Sequence, residues 1–258
     1  MNRLLGALLP PLLLLIVVLI AWQLAIIVFD LPSYLLPSPA AVWAAAFKRS
    51  SEIVTATGIT GAGAFCGFVA SQVLGVAVAL VFSQSRIIRS SCYPYAIFLQ
   101  TVPIVAIAPL VVTWVGTGFT SVVIIACIIS LFPVIANATT GLITVEPGLR
   151  DLFQLHQATR WQVLVKLQIP NAVPHLVTGA RVSSGLAVVG AIVGEFFVGY
   201  GTRHHGLGYT ILYAGPQLKT DQLFAATIAS AVLGVAMFAT TSLIGRAVLV
   251  RWYDSPLN

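Results

Sequence analysis

Charge is what this chain has least of. Charged residues are 8% of its 258 positions and the acidic ones number only 7, where an average soluble domain is about a quarter charged. With 59% hydrophobic residues, that shortage excludes a soluble globular domain and describes an integral membrane protein. Cysteine is almost as scarce. Cys66, Cys92 and Cys127 lie in or beside apolar segments with no CxxC or Cys/His ligand spacing, so they read as small buried hydrophobes rather than metal ligands. No GxxxxGK[ST] loop occurs, so the chain cannot cradle nucleotide phosphates in that manner; any ATP used with it must be hydrolysed by another protein. HExxH and GxSxG are also missing, and Glu195 is essentially the sole carboxylate inside an apolar run. That is thin equipment for an enzyme. It is equally thin for a proton- or sodium-driven carrier, which commonly sets several ionisable groups at mid-membrane. His204 and His205 stand side by side, and two adjacent histidines are a weak metal site, so none is expected.

What the chain has in quantity is apolar sequence, in windows at 4–29, 58–82, 93–115, 119–143, 172–199 and 222–250. A bilayer takes about 20 apolar residues per helical crossing, and these runs lack the alternation of barrel strands. A backbone in lipid must satisfy its own hydrogen bonds. The expectation is an all-α, polytopic helix bundle of about six transmembrane helices, forming one domain over residues 1–258. The first run, Leu4 to Phe29, exceeds the about 7 to 15 residues of a signal-peptide core and is expected to be a retained span. Six spans put both termini on one side. With that side as the cytoplasm, the inner segments hold Arg3, Arg86, Arg89, Arg150, Arg160, Lys166, Arg246 and Arg251, whereas the outer ones hold Lys48, Arg49, Arg203 and Lys219. The positive-inside rule selects this orientation. It accounts for much of the net charge of +6, so nucleic acid is not expected as a partner; membrane lipid is.

Within the spans, Gly63, Gly67, Ser71, Gly75 and Ala79 recur every four residues. Such a row admits a close neighbour and slants around the helix, because a turn takes 3.6 residues. A homodimer seam and a contact within the chain explain it equally well. The third window contains Gln100, Thr101, Pro103 and Pro109, so its backbone is expected to be freed from helical bonding at two places. The fourth pairs Pro133 with Asn137. These residues either line a pathway or serve a kink needed for packing. Glu195 falls about 33 Å along the fifth span at about 1.5 Å per residue, near the outer mouth. There it gates the pathway, or snorkels to water or pairs with Arg203. On the outer side, Ser38 and Pro39 are placed to start a short helix over Ala40 to Lys48.

The polar stretch at about 144–171 is too charged to cross a bilayer and too patterned to be slack linker. Pro147 and Pro170 bracket it and are expected to keep the flanking spans out of it. Leu149, Leu152, Phe153 and His156 recur at helical spacing. Thr159-Arg160-Trp161-Gln162 matches a capping box, so a second short helix should begin at Arg160, after a bend at Gln157 and Ala158. Two short helices meeting at a bend form a knob, which either lies on the membrane or docks a partner.

This stretch resembles the cytoplasmic coupling motif of the permease subunits of binding-protein-dependent ABC importers: Glu-Ala-Ala, three residues, Gly, nine residues, Ile, one residue, Leu-Pro. Anchored on Pro170, the motif sets Asp151-Leu152-Phe153 on the first triplet, Gln157 on the glycine, Leu167 on the isoleucine and Ile169-Pro170 on the last pair. Pro174, Gly179, Arg181 and Val193-Gly194-Glu195-Phe196 also resemble that family, above all its nitrate, sulfonate, taurine and thiamine-precursor branch. So do Leu36-Pro37-Ser38-Pro39, Pro103 to Gly118, Phe132-Pro133, Gly206-Leu207-Gly208-Tyr209 and Thr220-Asp221. The resemblance implies a type I importer permease in a bacterial inner membrane, two copies of which form the pathway. It implies separate ATPase subunits, which carry the ATP and Mg, and an extracytoplasmic solute-binding protein, with no cofactor on this chain. The ATPase-docking residues it implies are Asp151, Leu152, Phe153, Gln157, Ala158, Arg160, Trp161 and Pro170. The candidate pathway or gate residues, read from the broken helices and the carboxylate in an apolar run rather than from the resemblance, are Gln100, Thr101, Pro103, Asn137 and Glu195. The solute is expected to be a small organic compound such as an aminopyrimidine thiamine precursor, riboflavin or a sulfonate, with nitrate or bicarbonate as the alternative. A self-sufficient carrier, or an intramembrane enzyme using Glu195 as a base, are the rival readings. Two departures stand out: Gln157 replaces a glycine free to adopt a left-handed bend, so the bend is either milder here or strained. Asp151 replaces a glutamate, a shorter acid suited to the start of a helix.

Overall fold

A computed structural model of the chain describes residues 2–198 and 205–253, and every regular element among them is helical. Arg203 and His204, named above, lie outside the described residues. Five helices are long and apolar enough to cross a membrane: α1 (Asn2–Val28), α3 (Ser50–Gln84), α6 (Phe119–Ile143), α9 (Ile169–Val198) and α11 (Thr220–Tyr253). The shorter helices are α2 (Pro39–Lys48), α4 (Arg86–Thr101), α5 (Ile104–Val115), α7 (Pro147–Leu155), α8 (Arg160–Val163) and α10 (Leu207–Ala214).

The third apolar window is not one continuous span. Val102 and Pro103 are extended and divide it into α4 and α5. At 12 residues, α5 alone covers about 18 Å, short of the about 30 Å of hydrocarbon. Because α6 runs parallel to α3, with Gly63 against Val122 and Gly75 against Val134, α4 and α5 in series return the chain from the end of α3 to the start of α6. Of the two breaks expected, the one at Pro103 occurs, while Pro109 stays inside α5. The second span starts earlier than its hydropathy suggests. Residues 50–57 are polar enough to fall below the apolar window, yet Thr55 and Thr57 turn their hydroxyls onto the Ser51 and Ile53 carbonyls, so the helix runs on without orphaned groups.

The core sits where α6 passes between α3 and α9, the two most intimate pairings in the bundle. All five members of the small-residue row are buried, and the row is spent inside the chain. A Cβ on Gly67 would lie 2.5 Å from the Ala126 Cβ, and one on Gly75 would lie 2.8 Å from Val134. Gly190 closes the other side of α6 the same way, against Ala126. Lipid tails are as apolar as leucine, so close packing and hydrogen bonds hold such helices together. The buried Ser183 hydroxyl supplies one, donating to the Ser130 carbonyl at 2.8 Å.

Short helices dress one end of this bundle. Ser38 caps α2, accepting from the Ala41 amide at 3.2 Å with Pro39 in the first turn, as the sequence suggests, and α2 packs on α11. By contrast α1 is peripheral: none of the Leu9–Val28 span is buried, and its contact with the bundle includes Trp22 against Phe224.

Candidate functional site

The insert is rooted by Asn171, whose side-chain amide donates to the carbonyls of Gly141 and Thr144 at 2.8 and 2.9 Å. It thereby ties the start of α9 to the end of α6. Pro147 then occupies the first turn of α7, where its missing N–H costs nothing. The helix ends after Leu155 in a Schellman closure. The Gln157 amide donates to the Gln154 carbonyl at 2.9 Å and the Ala158 amide to that of Phe153 at 3.0 Å. This closure requires a left-handed residue, and Gln157 takes it with φ 51°. The bend expected at Gln157 is therefore present, and the glutamine carries the strain that a glycine would avoid.

Immediately afterwards the capping box forms. The Thr159 amide donates to Gln162 Oε1 at 2.8 Å and the Gln162 amide to Thr159 Oγ1 at 3.3 Å, so helix resumes at Arg160. It then does not stop. A π-turn over Leu164–Gln168 connects α8 to α9, giving one continuous helix from Arg160 to Val198. Pro170, expected to keep the fifth span out of the insert, lies inside that helix. Proline clashes with the carbonyl four residues back; the wider turn, in which the Ile169 amide reaches the Leu164 carbonyl, relieves this. The knob is thus one short helix and the projecting end of a long one. Asp151 also lies beyond the first turn of α7, too far in to draw much from the helix N-terminus.

What the knob presents is apolar. Leu155 is 81% exposed, Trp161 71% and Leu152 47%, while Phe153 and Ala158 are half-buried and Arg160 and Asp151 exposed. A cavity of about 360 Å³ opens at the bend, lined by Leu152, Phe153, His156, Ala158, Gln162 and Lys166. No transmembrane helix packs on α7 to any extent. Replacing Gln157 by glycine should leave this surface unchanged and raise thermal stability by about 1 kcal/mol, whereas valine there should cost about 1 to 2 kcal/mol. Melting curves of the two variants against the parent check this; a less stable glycine variant would mean that the glutamine side chain is itself needed.

The pathway residues do not form one cluster of like character. Gln100, Thr101 and Pro103 gather at the exposed α4–α5 break, where the Thr101 hydroxyl donates to the Phe98 carbonyl. Asn137 turns its amide onto the Pro133 carbonyl of its own helix at 2.8 Å. Glu195 does not snorkel: it is 5% exposed and committed to partners inside the bundle. The Thr60 hydroxyl of α3 donates to its two carboxylate oxygens at 2.8 and 3.0 Å, and the Gly208 amide donates to Oε2 at 2.7 Å. Thr60 in turn accepts from the Leu207 amide at 2.8 Å. Leu207 and Gly208 open α10, and Gly206 before them has no side chain to cap with. Glu195 and Thr60 therefore cap α10 from two other helices, satisfying donors that a helix start leaves free. Gly206 lies against the carboxylate so closely that a Cβ there would overlap it. Sequence reasoning missed Thr60, since a threonine in an apolar helix ordinarily bonds its own backbone.

The fold and site together define a membrane helix bundle that carries a protruding, capped apolar knob between α6 and α9. Residues 71–250 match the family model described as binding-protein-dependent transport system inner membrane component, and the chain belongs to that family. It is 32% identical over 231 residues to a probable ABC transporter permease protein of Haemophilus influenzae, covering 90% of this chain and 93% of that one. It is 31% identical to the riboflavin transport system permease protein RibX of Chloroflexus aurantiacus, over 93% of this chain and 89% of the relative. Among solved structures, an inward-facing MetNI methionine ABC transporter matches with a TM-score of 0.66, covering 78% of this chain and 98% of that chain at 18% identity. This protein is the permease component of a binding-protein-dependent ABC importer.

Proposed function

We propose that the knob formed by α7 and the start of α8 is the seat of a separate ATPase subunit, and that two copies of the permease act together. An extracytoplasmic binding protein delivers a small organic solute for import to the cytoplasm. The observation that carries this reading is the exposure of Leu152 and Leu155 on α7, outside the spans, and of Trp161 at the capped, projecting start of the Arg160–Val198 helix. Large apolar groups held away from both lipid and core fit a partner groove. In this reading both termini and the insert face the cytoplasm, which the arginine and lysine asymmetry supports. ATP and Mg then reside on the ATPase, and closure of two ATPases pushes the paired knobs, tilting α6 and α9 through the Asn171 tie.

For the solute we favour a riboflavin-like or aminopyrimidine compound or a sulfonate; similarity to a riboflavin permease along most of both chains supports the organic class. Proteoliposomes holding the permease with its ATPase, supplied with binding protein and labelled solute, test this. The expected result is accumulation of one organic solute that needs ATP and both partners. Uptake by the permease alone would make it a carrier, and uptake of nitrate or bicarbonate in place of the organic solutes would move the protein to the inorganic-anion class.

A further inference from the structure

We infer that a second site lies at the insert end of the bundle, sharing Pro147, Arg150 and Val163 with the knob: a cleft that holds the phosphate-bearing headgroup of an anionic phospholipid. It encloses about 790 Å³ between the α3–α4 junction and the root of the insert, and Arg86, Arg89 and Arg150 all stand on its wall. None of these guanidinium groups is paired, since the sole ion pair among the described residues joins Arg49 to Glu52. Glu146 and Asp151, the acids nearest in sequence, are not part of the wall. Ser85 caps α4 by accepting from the Ile88 amide at 3.3 Å, which sets Arg86 in the first turn, where free backbone amides add to the attraction for an anion. Three unpaired arginines in one concavity attract a phosphate; arginine's planar fork suits its oxygens.

The rest of the wall argues for a lipid rather than a soluble ion or an acidic protein. Beside the polar Ser83, Gln84, Thr144 and Gln168, the wall carries an apolar part made of Ile143, Val145, Val163 and Leu167, and Ile87 and Ile88 next to the arginines are 78% and 42% exposed. The cleft also lies at the ends of two spans, Ser50–Gln84 and Phe119–Ile143, the level at which hydrocarbon gives way to headgroups. A phospholipid there puts its phosphate on the arginines and its chains along the isoleucines. A basic pocket between helix ends is a recurrent way of holding such headgroups. Neither free phosphate nor an acidic loop would cover the apolar part.

The full-length permease in phosphatidylcholine nanodiscs, with trace spin-labelled phosphatidylglycerol or phosphatidylcholine, reads this directly as the immobilised fraction of each lipid. The parent should hold phosphatidylglycerol in preference. Arg86→Gln with Arg89→Gln should weaken that preference by about fivefold for each arginine removed, while the paired lysine variant keeps most of it. Inorganic phosphate, added against chloride of equal ionic strength, should leave the lipid in place. An unchanged preference in the glutamine variant would overturn the proposal. So would displacement by phosphate, which would make the site one for a soluble anion, or loss of the ATPase subunit with lipid preference intact, which would assign the arginines to the partner.

Discussion

Phe153→Asp and Trp161→Asp will each strip the ATPase subunit from the purified permease while the permease itself still inserts in the membrane. Both side chains lie at the bend of the insert, Trp161 largely exposed and Phe153 beside the cavity that Leu152 and Ala158 share. Burial in a partner groove is worth about 1.5 to 3 kcal/mol for each large apolar side chain, and an unpaired carboxylate in its place adds a desolvation cost. The two together weaken docking by at least about a hundredfold, since about 1.4 kcal/mol is a factor of ten. Neither substitution touches the α3–α6–α9 core, so the variants should melt near the parent temperature. Co-purification against the parent decides it, and ATP hydrolysis and uptake should fall in step. Full ATPase content in both variants would leave the knob without its assigned role.

The second large effect is expected at Glu195. Glu195→Ala removes the acceptor of the Gly208 amide and the partner of Thr60, and leaves a cavity where the carboxylate was. Stranding buried polar groups costs about 1 to 3 kcal/mol each, so the variant should lose about 3 to 5 kcal/mol of stability through release of α10 from α3 and α9. Glu195→Gln keeps an acceptor for Gly208 and should cost only about 1 to 2 kcal/mol. Thr60→Val should fall between them, because the Leu207 amide is orphaned. If Glu195 serves only as this cap, uptake should track stability across the three variants. Uptake lost by Glu195→Gln in a protein that melts normally and retains its ATPase would instead give the carboxylate a direct part in the pathway.

The contrast between these two sites shows what a single sequence carries. Thr159 and Gln162 were legible because a capping box is local chemistry: both hydrogen bonds span three residues, so the start at Arg160 can be read from four letters. The bend at Gln157 was legible for the same reason, although only the backbone angle decides between a mild bend and a strained one. The Thr60–Glu195 cap joins residues 135 positions apart, and nothing local distinguishes Thr60 from Thr55 or Thr57, which bond their own helix. Pro170 misled because proline's rule as a helix breaker assumes an α-turn before it, and the chain places a π-turn there instead. The small-residue row announced a close crossing but not its partner; the partner is α6, whose Val122, Ala126 and Val134 meet the row and carry no comparable signal.

The central claim is that the knob meets the ATPase, and a single cysteine at Leu155 tests it most directly. This residue is at the tip of α7, 81% exposed, and contributes to no packing that a cysteine would disturb. With Cys66, Cys92 and Cys127 replaced, Leu155→Cys should label from the cytoplasmic side and give a permease–ATPase cross-link with a short bifunctional maleimide, sensitive to ATP. Leu35→Cys, 60% exposed in the segment before α2, should give none. Labelling of Leu155→Cys from the outer side, or an ATPase that cross-links elsewhere on the permease and never at this position, would contradict the account.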